Sequence, residues 1–133
     1  MSRRRARETA FKVVFQVEQS GIDPGEAFAY LLEEKDLPEK DRDFAWRLVQ
    51  SCLEHREKID QKIAQYSRAW DISRMSSVDR NIMRIAAAEM LYLKEDLPVI
   101  AIDEAIELAK VYGDEKSSAF VNAILDKIAG EIK

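Results

Sequence analysis

Residues 76–90 read SSVDRNIMRIAAAEM, and this stretch decides the fold class of the chain. A serine at its start offers a hydroxyl that can cap a helix, and apolar residues then return at steps of three and four. These apolar positions are Val78, Ile82, Ile85, Ala86 and Met90, followed by Leu93. The pattern predicts a helix that begins after Ser76 or Ser77 and buries one face.

The same helical period continues upstream of this stretch. A first helix ends near Gly21, a second begins at the capping box over residues 23–26, and a third follows Pro38. No glycine or proline lies between residues 52 and 59, so periodicity alone allows either one long helix there or two.

Downstream, Pro98 opens a helix that is apolar on nearly all sides and is therefore predicted to be buried. Gly113 is predicted to end it in the left-handed conformation, and a last helix starts near Ser117. The prediction is an all-α fold of six or seven helices. Residues expected in its core are Trp70, Ile72, Met75, Ile85, Ile106, Ala109 and Leu125.

Composition excludes several classes of protein. Of 133 residues 47% are apolar and 35% charged, which suits one domain and argues against a disordered or membrane protein. The 4 glycines stand too far apart to form a phosphate-binding loop. A single cysteine, and a broken apolar stretch after the basic start, indicate a cytoplasmic protein rather than an exported one.

Positive charge is concentrated at the start of the chain. Residues 1–12 hold five basic residues and one acidic residue, a net +4, whereas the whole chain carries −4 and the remainder therefore −8. The basic arm consists of Arg3, Arg4, Arg5 and Arg7. Arginines in a first helical turn repel one another and oppose the helix dipole, so a structural role alone does not explain them. Guanidinium groups fit phosphate geometry, and the arm predicts an anionic partner.

Titratable residues elsewhere fit structural roles better than chemical ones. Cys52 and His55 share a helix face, but one Cys and one His are too few for a metal site, and Cys52 is predicted to be a core residue. Glu89 falls on an apolar face and needs a cationic partner, with Arg47 or Arg84 as candidates. No catalytic residue, metal or cofactor is predicted.

Three further features each admit two interpretations. Arg80 and Arg84, one turn apart, form either a phosphate-binding ladder or an ordinary solvated helix face. Asp79, in a first helical turn, either acts as a cap alone or anchors a basic partner. Phe120 is either a ring for base stacking or a core residue.

The loop over residues 113–118 is a second candidate for anion binding. Backbone N–H groups at the start of the last helix lack helical partners. Ser117 adds a hydroxyl there and Lys116 adds positive charge.

Three motifs in order give the chain a specific resemblance. They are RRxxRExA at residues 3–10, WxxxRMxxxDRxIMRxAxxEM at 70–90, and DEAIELAK at 103–110 followed by FVNxxL at 120–125. In these motifs the chain resembles the NusB family of bacterial transcription antitermination factors. The resemblance implies a single domain over 1–133, with three helices packed against four in sub-bundles of about 1–56 and 57–133 and a helix break near His55.

The resemblance also implies a function. NusB-family proteins bind single-stranded boxA RNA of ribosomal-operon leaders together with NusE, a small-subunit ribosomal protein, and join the elongating RNA polymerase; some are homodimers. By motif, the expected RNA-binding residues are Arg3, Arg4, Arg5, Arg7, Lys116, Ser117 and Phe120. The residues expected to face NusE are Asp79 and Phe15. Ser51 and Ala123 stand where family members often have glycine, and Lys116 stands where many have an acidic or polar residue.

Two alternatives from other classes remain open at this point. A helical protein–protein adaptor would use the basic arm against an acidic protein rather than RNA. A stand-alone relative of the RNA-binding domain of ribosomal-RNA methyltransferases is disfavoured, because the sequence has no glycine-rich cofactor loop.

Overall fold

The computed structural model describes residues 2–67 and 72–132, and over these ranges the chain forms seven α-helices and no strand. The helices are α1 (Ser2–Ser20), α2 (Pro24–Glu34), α3 (Glu39–Glu54), α4 (Arg56–Ser67), α5 (Ser77–Ala88), α6 (Pro98–Tyr112) and α7 (Ser117–Ala129). A 3₁₀ turn, Ile72–Arg74, precedes α5, and a π-helical turn, Glu89–Leu93, continues it. The predicted all-α fold is confirmed.

Predicted capping residues start two of these helices. The Asp23 carboxylate accepts a hydrogen bond from the Glu26 N–H at 3.1 Å, and the Ser76 hydroxyl accepts one from the Asp79 N–H at 3.0 Å. Each bond satisfies a backbone donor that the first turn leaves without a helical partner. Ser76, rather than Ser77, is therefore the cap of α5.

α3 and α4 are separate helices that meet at His55, where the backbone turns to φ −105° and ψ 15°. The His55 ring stacks on the Tyr92 ring, with 3.8 Å between centroids and 6° between planes. This stack accompanies a break that neither glycine nor proline marks, which is why periodicity alone left the choice open. The division into sub-bundles 1–56 and 57–133 stays a prediction.

α5 is the central helix of the molecule. Every residue from Asn81 to Ala88 is buried, and α5 packs against α1, α3, α4, α6 and α7. The prediction that α6 is buried on all sides is wrong, because α6 packs with one face and leaves apolar residues in solvent. The exposed apolar residues of α6 are Val99, Ile100 and Val111.

Most other core predictions are confirmed. Cys52, Met75, Ile85, Ala109 and Leu125 are buried, whereas Ile72 and Ile106 are half-buried. Trp70 lies outside the described residues. Burial raises the pKa of the Cys52 thiol to about 12, so the thiol is protonated at neutral pH. The helices that the structure describes include none long and apolar enough to cross a membrane.

An ionic network at the C-terminal half of α1 joins three helices. Arg84, 4% exposed, binds Asp60 of α4 through two bonds of 2.7 and 2.8 Å and Glu18 of α1 at 2.7 Å. Arg80 binds the same Glu18 carboxylate at 2.8 and 2.9 Å. Although burial alone would raise it, hydrogen bonds from Arg80, Arg84 and Asn81 lower the pKa of Glu18 to about 2. Neither interpretation of Arg80 and Arg84 is correct, because both arginines bind protein groups inside the fold.

Candidate nucleic-acid interface

Three arginines of the basic arm reach the surface at the start of α1, and we refer to Arg3, Arg4 and Arg5 as the surface arginines. The Arg4 side chain is 60% exposed and the Arg3 side chain 39% exposed. Arg5 is half-buried and donates a hydrogen bond to the Asp36 carbonyl at 2.7 Å. Three cationic groups in adjacent positions concentrate positive charge at this end of the molecule, and their binding of an anionic partner stays a prediction.

Arg7, the fourth residue of the arm, is buried. It is 5% exposed, and it donates two bonds of 2.8 Å to the two oxygens of Glu89 and one of 2.9 Å to Asp96. Burial lowers the pKa of Arg7, but the hydrogen bonds to Glu89 and the charges of Glu89, Asp96 and Glu104 together outweigh burial, and the net pKa is raised. The expected partners of Glu89, Arg47 and Arg84, are therefore wrong, and Arg7 has almost no exposed surface for a phosphate.

A short acidic segment after α5 provides partners for Arg3. The π-helical turn ends at Lys94, which adopts the left-handed conformation at φ 57°, and the chain then turns toward α1. Arg3 donates bonds of 3.0 Å to both Glu95 and Asp96, and its guanidinium lies 4.0 Å from the centroid of the Phe44 ring. π-Helical turns often occur at functional sites, and this one places two carboxylates beside the arm.

Arg4 binds one residue of α6 through two hydrogen bonds. Its Nε and Nη2 donate to the two Glu104 oxygens at 2.9 and 3.0 Å. The Glu104 hydrogen bond raises the pKa of Arg4. α1 and α6 therefore meet at Arg4, and they meet again where the Tyr112 hydroxyl donates to Glu8 at 2.5 Å.

Lys12 lies one helical turn beyond the second of these meeting points, with its Nζ 5.7 Å from the centroid of the Tyr112 ring. Lys12 follows Arg4 and Glu8 at steps of four, so all three lie on one face of α1. Sequence reasoning counted its charge but did not name Lys12 as a site residue.

The loop between α6 and α7 is held together by Ser117. The Ser117 hydroxyl accepts a bond from the Asp114 N–H at 3.0 Å and lies 3.3 Å from the Asp114 carboxylate. Gly113 has φ −92°, so the predicted left-handed conformation is wrong. A Cβ at Gly113 would lie 2.4 Å from the Ser117 hydroxyl oxygen, so glycine is needed here for close approach. Ser117 is 2% exposed and shapes the loop from inside.

Lys116 and Phe120 line a pocket of about 260 Å³ between this loop and the start of α5. The remaining lining residues are Arg74, Met75, Ser76, Asp79 and Asp114. Phe120 is half-buried, so it belongs partly to the packed interior and partly to the pocket wall. The structure thus brings together residues expected to contact RNA and the residue expected to contact NusE.

Asp79 carries a carboxylate whose bonding is incomplete. Its Oδ1 is buried and accepts no hydrogen bond from any residue in the described ranges. Burial raises the pKa of Asp79, the Ser117 and Ser76 hydroxyls oppose this shift, and the nearby Asp114 carboxylate adds to it. The Asp79 carboxylate therefore keeps an unsatisfied acceptor oxygen, which is costly when it is buried.

Phe15 lies close to the same end of α5. It is half-buried, and its ring is 6.0 Å from that of Phe11. Phe11 contacts Tyr112 at the end of α6, and Gln19 donates a hydrogen bond to Ser77 at the start of α5 at 2.9 Å. Since Phe11, Phe15 and Gln19 share one face of α1, Phe15 lies between the end of α6 and the start of α5.

Sequence comparison assigns the chain to a family. The profile of the NusB family matches residues 4–130. The chain belongs to the NusB family. It is similar to the transcription antitermination protein NusB of Syntrophomonas wolfei subsp. wolfei, at 63% identity over 131 residues and 98% of each chain. It is also similar to that of Bacillus pumilus, at 43% identity over all of this chain and 98% of the relative.

Solved NusB structures share the fold. T. maritima NusB superposes with a TM-score of 0.90 at 40% identity, covering 98% of this chain and 92% of that one. A crystal structure of antitermination factors NusB and NusE in complex with dsRNA superposes with a TM-score of 0.89 at 35% identity, covering 98% and 99%. The surface arginines and the pocket of this chain therefore lie on a NusB-type fold.

The acidic partners of the surface arginines were not predicted from the sequence. Glu95 and Asp96 form an acidic pair shortly before Pro98, and Glu104 lies within a motif that the resemblance used only for recognition. An excess of acidic residues outside a basic arm is the one signal in the sequence that points to such partners.

Proposed function

We propose that the chain is an RNA-binding transcription antitermination factor that binds RNA together with NusE. It acts by binding rather than by catalysis, in the cytoplasm where transcription takes place. The observation that carries this proposal is that the surface arginines and the Phe120 pocket lie on a fold that superposes, over 98% of this chain, on a chain from a crystal structure of NusB and NusE in complex with dsRNA.

The proposed RNA is the single-stranded boxA segment of ribosomal-operon leaders. Arg3, Arg4 and Arg5 take phosphates, because a guanidinium pairs well with a phosphate group. Phe120 offers a ring face on which a base can stack, and Lys116 adds charge at the same pocket. In this proposal Ser117 shapes the loop rather than touching the RNA.

NusE is the proposed protein partner, at the surface formed by Asp79 and Phe15. The unpaired Asp79 oxygen supports this assignment, because a basic side chain of NusE would supply the missing donor. The assembly is proposed to join elongating RNA polymerase. A homodimer that covers the surface arginines stays a prediction, checked by the mass in solution with and without RNA.

The test is binding of a short boxA RNA and of a scrambled RNA at several salt concentrations. Arg3→Gln/Arg4→Gln should weaken binding and reduce the log–log salt slope by about 0.7 per lost phosphate contact on a single strand. The matched control is Arg42→Gln/Arg56→Gln, which removes the same charge from exposed positions on α3 and α4. Equal effects of the two pairs would contradict the proposed site. Binding of NusE without binding of RNA at any salt would favour the adaptor alternative.

A further inference from the structure

Two of the three surface arginines are already bound to carboxylates of the chain itself. Arg3 holds Glu95 and Asp96, and Arg4 holds both oxygens of Glu104. We name these three acids the carboxylate clamp. No part of the proposed function requires it, and its residues lie in a different segment of the chain from the arm.

The bond between Arg4 and Glu104 has the form that a phosphate contact would take. The Arg4 Nε and Nη2 donate to two oxygens at 2.9 and 3.0 Å. A phosphate is recognised by the same parallel pair of N–H groups. Glu104 and an RNA phosphate therefore cannot both occupy this edge of the guanidinium.

We propose that the carboxylate clamp competes with RNA for the surface arginines, and that Glu104 is its strongest member. The inference rests on the proposed function, and it states what sets the affinity of that site. RNA binding is then an exchange, in which phosphates replace carboxylates at Arg3 and Arg4.

Glu104 is expected to compete more strongly than Glu95 and Asp96, because these two acids have other hydrogen-bonded cationic partners and Glu104, within the described ranges, does not. Glu95 also accepts a bond from Arg47, and Asp96 also accepts one from Arg7 at 2.9 Å, so both stay paired after Arg3 leaves. Glu104 has no second hydrogen-bonded cation among the described residues. Its side chain is only 16% exposed, so water compensates the released carboxylate poorly.

The exchange requires the Arg4 side chain to move, and not that of Glu104. The Arg4 side chain is 60% exposed and has solvent on most sides, whereas the Glu104 side chain is largely covered by protein. Arg4 is therefore free to turn toward a phosphate while Glu104 stays in place. Removing the Glu104 charge removes the competitor without disturbing the arginine backbone.

The experiment measures boxA RNA affinity for Glu104→Gln beside Glu107→Gln. Both changes remove one acid from α6, but Glu107 is hydrogen-bonded to Lys110 at 3.4 Å and acts on Arg4 only through its charge, without a hydrogen bond. We expect Glu104→Gln to tighten RNA binding about threefold to fivefold, because an ion pair with one exposed partner no longer has to be broken. Glu107→Gln should increase RNA affinity less, because it removes a negative charge without freeing an arginine. Glu95→Gln should increase RNA affinity less than twofold.

A double-mutant cycle makes the assignment specific. In an Arg4→Gln background, Glu104→Gln should give no more gain than Glu107→Gln, because the contested guanidinium is absent. Glu104→Asp keeps the charge and shortens the side chain, so the bidentate bond is lost and an intermediate gain is expected. If thermal unfolding shows that Glu104→Gln destabilises the protein, Glu104→Asp replaces it in the affinity measurement.

Two results would overturn the inference. If Glu104→Gln weakens RNA binding as Arg4→Gln does, Glu104 positions Arg4 for the RNA instead of competing with it. If Glu104→Gln matches Glu107→Gln, there is no competition. In both cases an effect of Arg4→Gln on affinity leaves the proposed function intact. If Arg3→Gln/Arg4→Gln has no effect, it is the proposed function that fails.

Discussion

α1 carries one ionic cluster near each end, and the two clusters differ in burial more than in chemistry. Near the C-terminal end Glu18 binds Arg84, whose side chain is 5% exposed, at 2.7 Å. Near the N-terminal end Arg4, 60% exposed, binds Glu104 at 2.9 Å. Both are charge-assisted bonds of normal length. Water and salt ions can replace the carboxylate partner of the arginine only at the second cluster, because Arg4 is exposed and Arg84 is buried.

This difference in burial distinguishes an arginine that stabilises the fold from one that can bind another molecule. A buried charge that loses its partner keeps a large desolvation penalty, whereas an exposed charge loses little. The cluster around Glu18 therefore holds α1, α4 and α5 together, and the cluster around Arg4 can change partners. Arg7 lies only two positions after the last surface arginine, Arg5, but resembles Arg84 in burial.

The largest effect is expected from breaking the buried cluster. Arg84→Met should lower the free energy of unfolding by about 3–5 kcal/mol, because it leaves Asp60 and Glu18 without this partner. Denaturant unfolding gives the value. The matched control is Arg56→Met on the exposed surface of α4, which should change stability by less than about 0.5 kcal/mol. Similar losses for the two variants would mean that burial does not distinguish the two clusters.

Arg7 tests the comparison within the arm itself. Arg7→Gln should lower the free energy of unfolding by about 3 kcal/mol, since Glu89 is left buried without a cation. Arg5→Gln, two residues earlier, should cost less than about 0.5 kcal/mol. The salt slope of RNA binding should not change for Arg7→Gln in protein that remains folded. A reduced slope with normal stability would place Arg7 on the RNA instead.

The sequence predicted the elements of the fold better than the partners of its charges. Helical period and capping residues are local, so the Ser76 start of α5 and the Asp23 start of α2 could be predicted. Gly113 does end α6, but the predicted reason, a left-handed conformation, is wrong. Glycine is needed because Ser117 packs closely against it, and that contact cannot be read from a local pattern. The break at His55 is associated with a ring from a distant segment, which no local pattern contains.

Pairing of charges depends on contacts between distant segments. Arg7 and Glu89 are separated by 82 positions, and although both residues stood out in the sequence, no local pattern pairs them. The same holds for Arg4 and Glu104, which are 100 positions apart. Residue types and charge excess predicted an anion-binding arm; only the three-dimensional structure showed which arginine is buried and which acids hold the others.

Protonation of Glu18 at acid pH should lower the stability of the fold less than the arginine substitutions do. Hydrogen bonds from Arg80, Arg84 and Asn81 lower the pKa of Glu18 from its ordinary value of 4.5 to about 2 in the folded protein, although burial opposes them. Because the folded value is the lower one, the Glu18 contribution to stability is complete above pH 4.5 and is lost as pH falls toward 2. Melting temperature measured across this window should fall less steeply for Glu18→Gln than for the unmodified protein. Glu57→Gln, which removes an exposed acid from α4, is the control, and an equal flattening there would contradict the assignment.

The smallest effect on stability is expected at Asp79, an acid with no arginine partner among the described residues. Its raised pKa has the opposite sign from that of Glu18, so ionised Asp79 destabilises the fold, and stability is gained as pH falls through the folded pKa. Asp79→Asn should therefore leave the melting temperature unchanged or slightly higher. As an anchor for a basic NusE residue, however, the same change removes a charge-assisted bond, and NusE affinity should fall about thirtyfold. RNA binding by the isolated chain should hold or improve slightly, because a negative charge leaves the pocket that Lys116 and Phe120 line. Parallel losses of melting temperature and NusE affinity would make Asp79 a structural residue of α5, and the NusE surface would then have to be sought at Phe15 alone.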